Sequence, residues 1–179
     1  MFKPLIILDR DGVINYDSDD YIKSADEWLP IQSSIEAIAK LTRAGYSIAV
    51  ATNQSGLSRG YLSDATLKKI HAKMLLIVNQ AGGHVDAIEY CPDHPDTAGP
   101  DRKPAPGMAL RLLKRFKANP EQTWFVGDSL SDMGCAVNAG CKPVLVLTGN
   151  GKKTQLANEF DTAIPVFDNL LSFVDTFVD

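Results

Sequence analysis

Apolar runs of strand length alternate along this chain with segments of helical period, and that alternation restricts the fold more than any other feature. Leu5-Ile-Ile-Leu8 is a continuous apolar run that ends abruptly in Asp9, the pattern of a strand buried on both faces. Ile31, Ile35, Ile38 and Leu41 then recur at helical spacing, and Gly45 closes that helix. Residues 47–51 read as a second strand. Ser63 is placed to cap a long helix carrying Leu67, Ile70, Met74 and Ile77 on one face and ending at Gly82-Gly83. A third strand is expected over 85–90, a helix over 108–116 entered through Pro106-Gly107, and a short strand over 124–126 before Gly127. A helix over 131–139 stops at Gly140, a strand follows over 143–147, and a last strand and helix fit 163–167 and 169–177. This order predicts a Rossmann-like three-layer α/β/α fold with a mostly parallel central sheet. It reads as one domain over 1–179, with no insertion long enough for a separate cap domain.

Composition narrows the function. The 179 residues hold 18 Lys+Arg against 22 Asp+Glu, a formal net charge of −4, so there is no electrostatic footprint for nucleic acid or an anionic membrane. At 45 % hydrophobic and 22 % charged the chain is neither disordered nor fibrous. Its apolar runs are far shorter than the ~20 residues of a membrane helix. The run from Leu5 to Leu8 is too short for a signal-peptide core. Three scattered cysteines make no disulfide framework, which fits a reducing, cytoplasmic setting. A monomer is expected.

In open α/β sheets ligands bind beyond the carboxyl ends of the strands, and four polar clusters fall there. Asp9-Arg10-Asp11-Gly12 follows the first strand, and Thr52-Asn53-Gln54-Ser55-Gly56 the second. Arg102-Lys103-Pro104 precedes a helix, and Gly127-Asp128-Ser129-Leu130-Ser131-Asp132 follows the short strand at 124–126. Carboxylates without nearby imidazole or thiolate suit a hard cation such as Mg²⁺. The 52–56 turn offers N–H groups to a phosphate, and Lys103 adds a point charge. Any single Asp at a strand end is more often a cap; it is the co-occurrence of the clusters that favours a metal-assisted phosphate site.

The string Leu8-Asp9-Arg10-Asp11-Gly12-Val13 resembles the DxDx(V/T) signature of haloacid dehalogenase-like phosphatases. Thr52, Lys103 and Gly127-Asp128 with Asp132 match that superfamily's other three motifs. LDRDGVIN, ATNQSGLSRG, CPDHP and RKPAPGM are similar to the D-glycero-D-manno-heptose 1,7-bisphosphate 7-phosphatase family and its relative, histidinol-phosphate phosphatase. The resemblance implies that Asp9 is the nucleophile and Asp11 the general acid and base. It implies Mg²⁺ held by Asp9, the Asp11 backbone carbonyl and Asp128, with Asp132 behind them, and phosphoryl oxygens held by Thr52, Asn53 and Lys103. An ordinary carboxyl at position 9 would already be ionised near pH 4 and ready to attack. Asp11 has the opposite need: either its pKa is raised or the substrate brings the proton. Without a cap, specificity falls to loops, with Asp17, Tyr21, Gln54, Ser55, Arg59 and Arg102 as candidates. Arg59 and Arg102 suit a second phosphate or sugar hydroxyls, and the resemblance implies a heptose bisphosphate on the way to surface glycans as the substrate. Histidinol phosphate is the alternative, and a sugar-phosphate-binding regulator the non-enzyme alternative.

Some heptose-bisphosphate relatives hold a structural zinc in the loop before the RKP motif. Here that loop offers only Cys91, Asp93, His94 and Asp101, a poor set for a closed zinc site, so a metal-free loop is expected. Cys135 and Cys141 read as packing residues, His71 as a helix-face residue, Trp28 and Trp124 as core or loop anchors, and Arg10 as a partner for a neighbouring carboxylate.

Overall fold

A computed structural model of the chain describes residues 4–178. Six strands form one sheet: β1 (Leu5–Leu8), β2 (Ser47–Asn53), β3 (Ala87–Cys91), β4 (Trp124–Gly127), β5 (Lys142–Val146) and β6 (Val166–Phe167). Their order is β3-β2-β1-β4-β5-β6 and every pairing is parallel, so the expected mostly parallel sheet is parallel throughout. The helices are α1 (Gln32–Arg43), α2 (Asp64–Gln80), α3 (Gly107–Phe116), α4 (Leu130–Asn138), α5 (Gly151–Gln155) and α6 (Leu170–Val174). The chain leaves β1 toward β2 on one side and returns to β4 on the other. The crevice for a ligand therefore opens beyond the carboxyl ends of β1 and β4.

Alternate residues of the central strands build two cores. Ile6, Leu8, Ile48, Val50 and Val126 pack with Ile35, Ile38 and Leu41 of α1, Ile70 and Met74 of α2, and Phe173 of α6. Leu5, Ile7, Ala49, Ala51 and Phe125 face the other way, against Met108 and Leu112 of α3 and Ala136 of α4. Burial on both faces explains why these strands read as unbroken apolar runs. Cys135 and Cys141 sit in the second core, and Trp28 is fully buried in the first. Trp124 meets Phe173 edge-to-face at 5.4 Å.

Several boundaries differ from the sequence reading. β2 runs on through Thr52 and Asn53, because those residues pair with Tyr90 and Cys91 of β3. On α2 the buried face is completed by Val78 and His71, while Ile77 is only half-buried. The five-residue helix α5 has no apolar periodicity to announce it, and β6 and α6 are shorter than expected. Ser63 caps α2 as expected, accepting from the Thr66 amide at 3.1 Å.

Candidate active site

β1 ends in a turn whose geometry needs glycine. Gly12 has φ +80°, and a Cβ there would run into the carboxylate of Asp128. The loops after β1 and β4 thus touch, which sets Asp9 beside Asp128. Gly127 is needed for the same reason, since a Cβ on it would collide with the Asp132 side chain. Asp132 occupies the first turn of α4 in a capping box with Ser129. One of its oxygens accepts from the Asp128 and Ser129 amides at 3.1 and 3.0 Å and from the Ser129 hydroxyl at 2.6 Å. The other meets the Lys103 ammonium at 2.7 Å.

Lys103 is 3 % exposed, and its Nζ is saturated: Asp132 at 2.7 Å, Asp9 Oδ1 at 2.8 Å and the Ala51 carbonyl at 2.8 Å. Its backbone is held too, because Asn53 donates to the Lys103 carbonyl and accepts from its amide, both at 3.1 Å. The Asn53 side chain is therefore a clamp on Lys103. Thr52 Oγ1 accepts from Gln54 Nε2 at 3.0 Å, which leaves its own proton free for a ligand. Gln54 Nε2 also donates to Asp11 at 2.9 Å.

These contacts surround a cavity of about 320 Å³. Of the residues expected there, Asp9, Asp11, Asp17, Tyr21, Thr52, Asn53, Gln54, Ser55, Arg102, Lys103 and Asp128 line it. Arg59 does not; its guanidinium lies over the Tyr21 ring, 5.9 Å from the centroid. Ser129 and Ser131 of the cluster after β4 line it as well, as do Ser18 and Asp19 of the 17–21 loop, and Ile22 and Asn150 line it without having been singled out in the sequence. Asn150 stands out among them. Its amide donates to Asp128 Oδ2 at 2.7 Å and its side chain to Asp17 at 3.0 Å, linking the loop after β5 to both.

The four innermost carboxylates have different surroundings. Burial and the nearby Asp132 charge push Asp9 up to about 7, against the pull of Lys103. Burial, Asp132 and Asp9 push Asp128 up to about 8. In these surroundings Asp9 holds its proton more tightly than an ordinary carboxyl. Asp11 goes the other way: burial would raise it, but the Arg10 guanidinium and hydrogen bonds from Asn15, Arg10 and Gln54 bring it below its ordinary value. These surroundings favour the charged form of Asp11, so the substrate is the other source of the proton.

The donor set fits a hard divalent cation. Oxygens of Asp9, Asp128 and Asp132 lie within 4.8 Å of one another. Asp132 is spent on Lys103 and the α4 cap, so the two carboxylates with repulsion still to relieve are Asp9 and Asp128. In the loop before Lys103, the Asp101 carboxylate pairs with Arg111 at 2.5 Å. His94 Nδ1 accepts from the Asp96 amide at 3.2 Å, and burial raises the Cys91 thiol. Arg102 reaches back to the Asp93 carbonyl at 2.9 Å.

A parallel sheet with paired acids beyond its switch point and a buried lysine between them defines the haloacid dehalogenase-like phosphatases as a class. Residues 101–173 match the family model described as HAD-hydrolase-like. The D-glycero-β-D-manno-heptose 1,7-bisphosphate 7-phosphatase of Neisseria meningitidis serogroup A is 52 % identical over 172 residues, 94 % of this chain and 91 % of that enzyme. The enzyme of the same name from Pseudomonas aeruginosa is 50 % identical, covering 95 % of each chain. The crystal structure of the Bordetella bronchiseptica D,D-heptose 1,7-bisphosphate phosphatase with magnesium and phosphate superposes with a TM-score of 0.93 at 46 % identity, covering 96 % of each chain. The chain belongs to the D-glycero-β-D-manno-heptose 1,7-bisphosphate 7-phosphatase family.

Proposed function

We propose that this chain is a Mg²⁺-dependent phosphomonoesterase that removes the 7-phosphate of D-glycero-β-D-manno-heptose 1,7-bisphosphate through an aspartyl-phosphate. The observation that carries the reading is Asp9, flanked by Lys103 at 2.8 Å and by Asp128, at the switch point of a sheet shared with enzymes of that name. Asp9 and Asp128, with the Asp11 backbone carbonyl, would hold Mg²⁺. When bound, the cation neutralises the acids and draws charge from the phosphoryl oxygens.

Asp9 attacks phosphorus and the sugar alkoxide leaves. Lys103 stays anchored by Asp132 and Ala51 while the proton it shares with Asp9 turns to a phosphoryl oxygen; Thr52 donates to another. Asp11 is ionised at rest, so the proton needed by the alkoxide arrives with the substrate, whose phosphate titrates with a second pKa of about 6. Asp11 passes that proton on and, ionised again, deprotonates the water that hydrolyses the acyl phosphate. Arg102, with Asp17, Tyr21, Gln54 and Ser55, forms the walls met by the rest of the substrate. Arg59 is placed to join them only by leaving the Tyr21 ring.

The reading places the chain as one monomeric domain in the cytoplasm. Support comes from three cysteines without disulfides and from the absence, among the described residues, of a helix long and apolar enough to cross a membrane. A phosphate-release screen over heptose bisphosphates, sugar monophosphates, histidinol phosphate and an aryl phosphate tests it. The heptose 1,7-bisphosphate should give the highest kcat/KM, with the 1-phosphate retained in the product. Faster turnover of histidinol phosphate would overturn the assignment.

A further inference from the structure

Two buried residues have no part in the chemistry just described. Arg10 is 0 % exposed, yet none of its donors reaches the ligand cavity's carboxylates other than Asp11. Its Nε donates to Asp11 Oδ1 at 2.9 Å and its Nη2 to Asp11 Oδ2 at 3.1 Å, a planar fork on a carboxylate. Its Nη1 lies 3.2 Å from Nε2 of His71, on α2. A guanidinium can only donate. Nε2 of His71 must therefore accept, and the ring is neutral with its proton on Nδ1. Burial and the Arg10 charge push His71 down to about 4, which agrees with that tautomer.

The location makes this arrangement costly unless it does something. His71 shares the buried face of α2 with Leu67, Ile70 and Met74, where a leucine would pack without desolvating a polar ring. The fork engages Nε and Nη2 only. The contact from His71, on a different element of the fold, engages the remaining nitrogen, Nη1, and ties the guanidinium to α2.

We propose that His71 is a positioning residue: as a neutral acceptor it fixes the orientation of the Arg10 guanidinium, and Arg10 in turn holds the Asp11 carboxylate where proton transfer to the leaving group takes place. The inference rests on the reading of Asp11 as the proton-transfer group. An Asp11→Asn control separates the two: full activity in that variant would refute the reading itself, whatever His71 does.

The test compares His71→Gln, whose amide oxygen can occupy the place of Nε2, with His71→Leu and with His71→Asn, whose amide is too short. kcat/KM is measured on a sugar phosphate, whose alkoxide needs a proton, and on 4-nitrophenyl phosphate, whose phenolate leaves without one. His71→Leu and His71→Asn should lose about tenfold on the sugar phosphate, the order expected for one displaced charge-assisted contact, and less than about twofold on the aryl phosphate. His71→Gln should stay within about twofold of the parent on both. If His71→Leu does not fold, the Gln–Asn comparison decides alone. Equal losses on both substrates, equal behaviour of Gln and Asn, or activity that merely follows melting temperature would overturn the proposal.

Discussion

Lys103→Met tests whether the site is an electrostatic unit or a set of independent side chains. Methionine keeps the buried stem, including its position over the Phe125 ring at 5.9 Å, and deletes only the charge and its three donors. Asp9 and Asp132 then face each other without the ammonium that sits 2.8 and 2.7 Å from them. Removing one partner from a buried ion pair costs roughly 3–5 kcal/mol, because the other is left uncompensated. In a chain of this length each kcal/mol moves the melting temperature by about 2–4 °C, so the loss should be about 6–20 °C. The orphaned acids can escape by binding protons. Their folded pKa values rise above the ordinary value, the native state holds protons the unfolded chain releases, and stability falls as pH rises through that window. Melting followed by circular dichroism in EDTA, at pH 5.5 and pH 8, should therefore show the larger deficit at pH 8. Adding Asp132→Asn, which keeps an acceptor for the α4 cap, should restore part of it. A deficit below ~3 °C at pH 8, or a larger one at pH 5.5, would refute the reasoning.

Asp9 and Asp128 are raised to about 7 and about 8, so the metal-free protein should lose stability from about pH 7.5 to about pH 8.5, a range that starts about one unit above the ~6.5 midpoint of unfolded histidine; saturating Mg²⁺ should flatten that slope in calorimetry. Asp9→Asn should abolish phosphate release while the melting temperature stays within a few degrees, since it removes the proposed nucleophile but little volume and Lys103 keeps Asp132 as its counter-charge; substantial turnover in a pure preparation would sink the covalent mechanism. Arg102→Ala should cost kcat/KM on the heptose bisphosphate about 2 kcal/mol more than on an aryl phosphate, and equal losses would remove Arg102 from substrate recognition. Elemental analysis of the purified protein should give well under one zinc per chain, because Asp101 and His94 are committed to Arg111 and to the Asp96 amide.

The central strands were readable because a parallel sheet covered on both faces leaves unbroken apolar runs such as Leu5 to Leu8, which ends at a polar cluster. Thr52 and Asn53 read as loop because polarity hides the ladder bonds to Tyr90 and Cys91 that extend β2. The loop after β5 was silent for a different reason. Asn150 acts through its backbone amide on Asp128, and Gly149 is required because a Cβ would strike that same carboxylate. Neither contact depends on a residue type that announces chemistry. His71 was legible as a helix-face residue, and it is one, but among the apolar residues of that buried face it alone meets Arg10. What periodicity cannot register is the partner across 61 positions of chain.

Asp9, Asp11, Asp128 and Asp132 are chemically identical in the sequence, and their partners alone divide the labour. Asp132 is neutralised by Lys103 and spent as the cap of α4. Asp11 is forked by Arg10 and stays a carboxylate even where burial opposes it. Lys103 is shared between Asp132 and Asp9. Burial first, and then the Asp132 charge, with Asp9 adding to the load on Asp128, draw Asp9 and Asp128 toward the protonated form. A protonated Asp9 cannot attack phosphorus. A divalent cation held by Asp9 and Asp128 would therefore be more than an aid to the phosphate: it would supply the charge that favours the ionised form of the proposed nucleophile. A monovalent cation in the same place would leave one of the two acids uncompensated, so Lys or Arg introduced nearby could not replace it without adding a second positive charge.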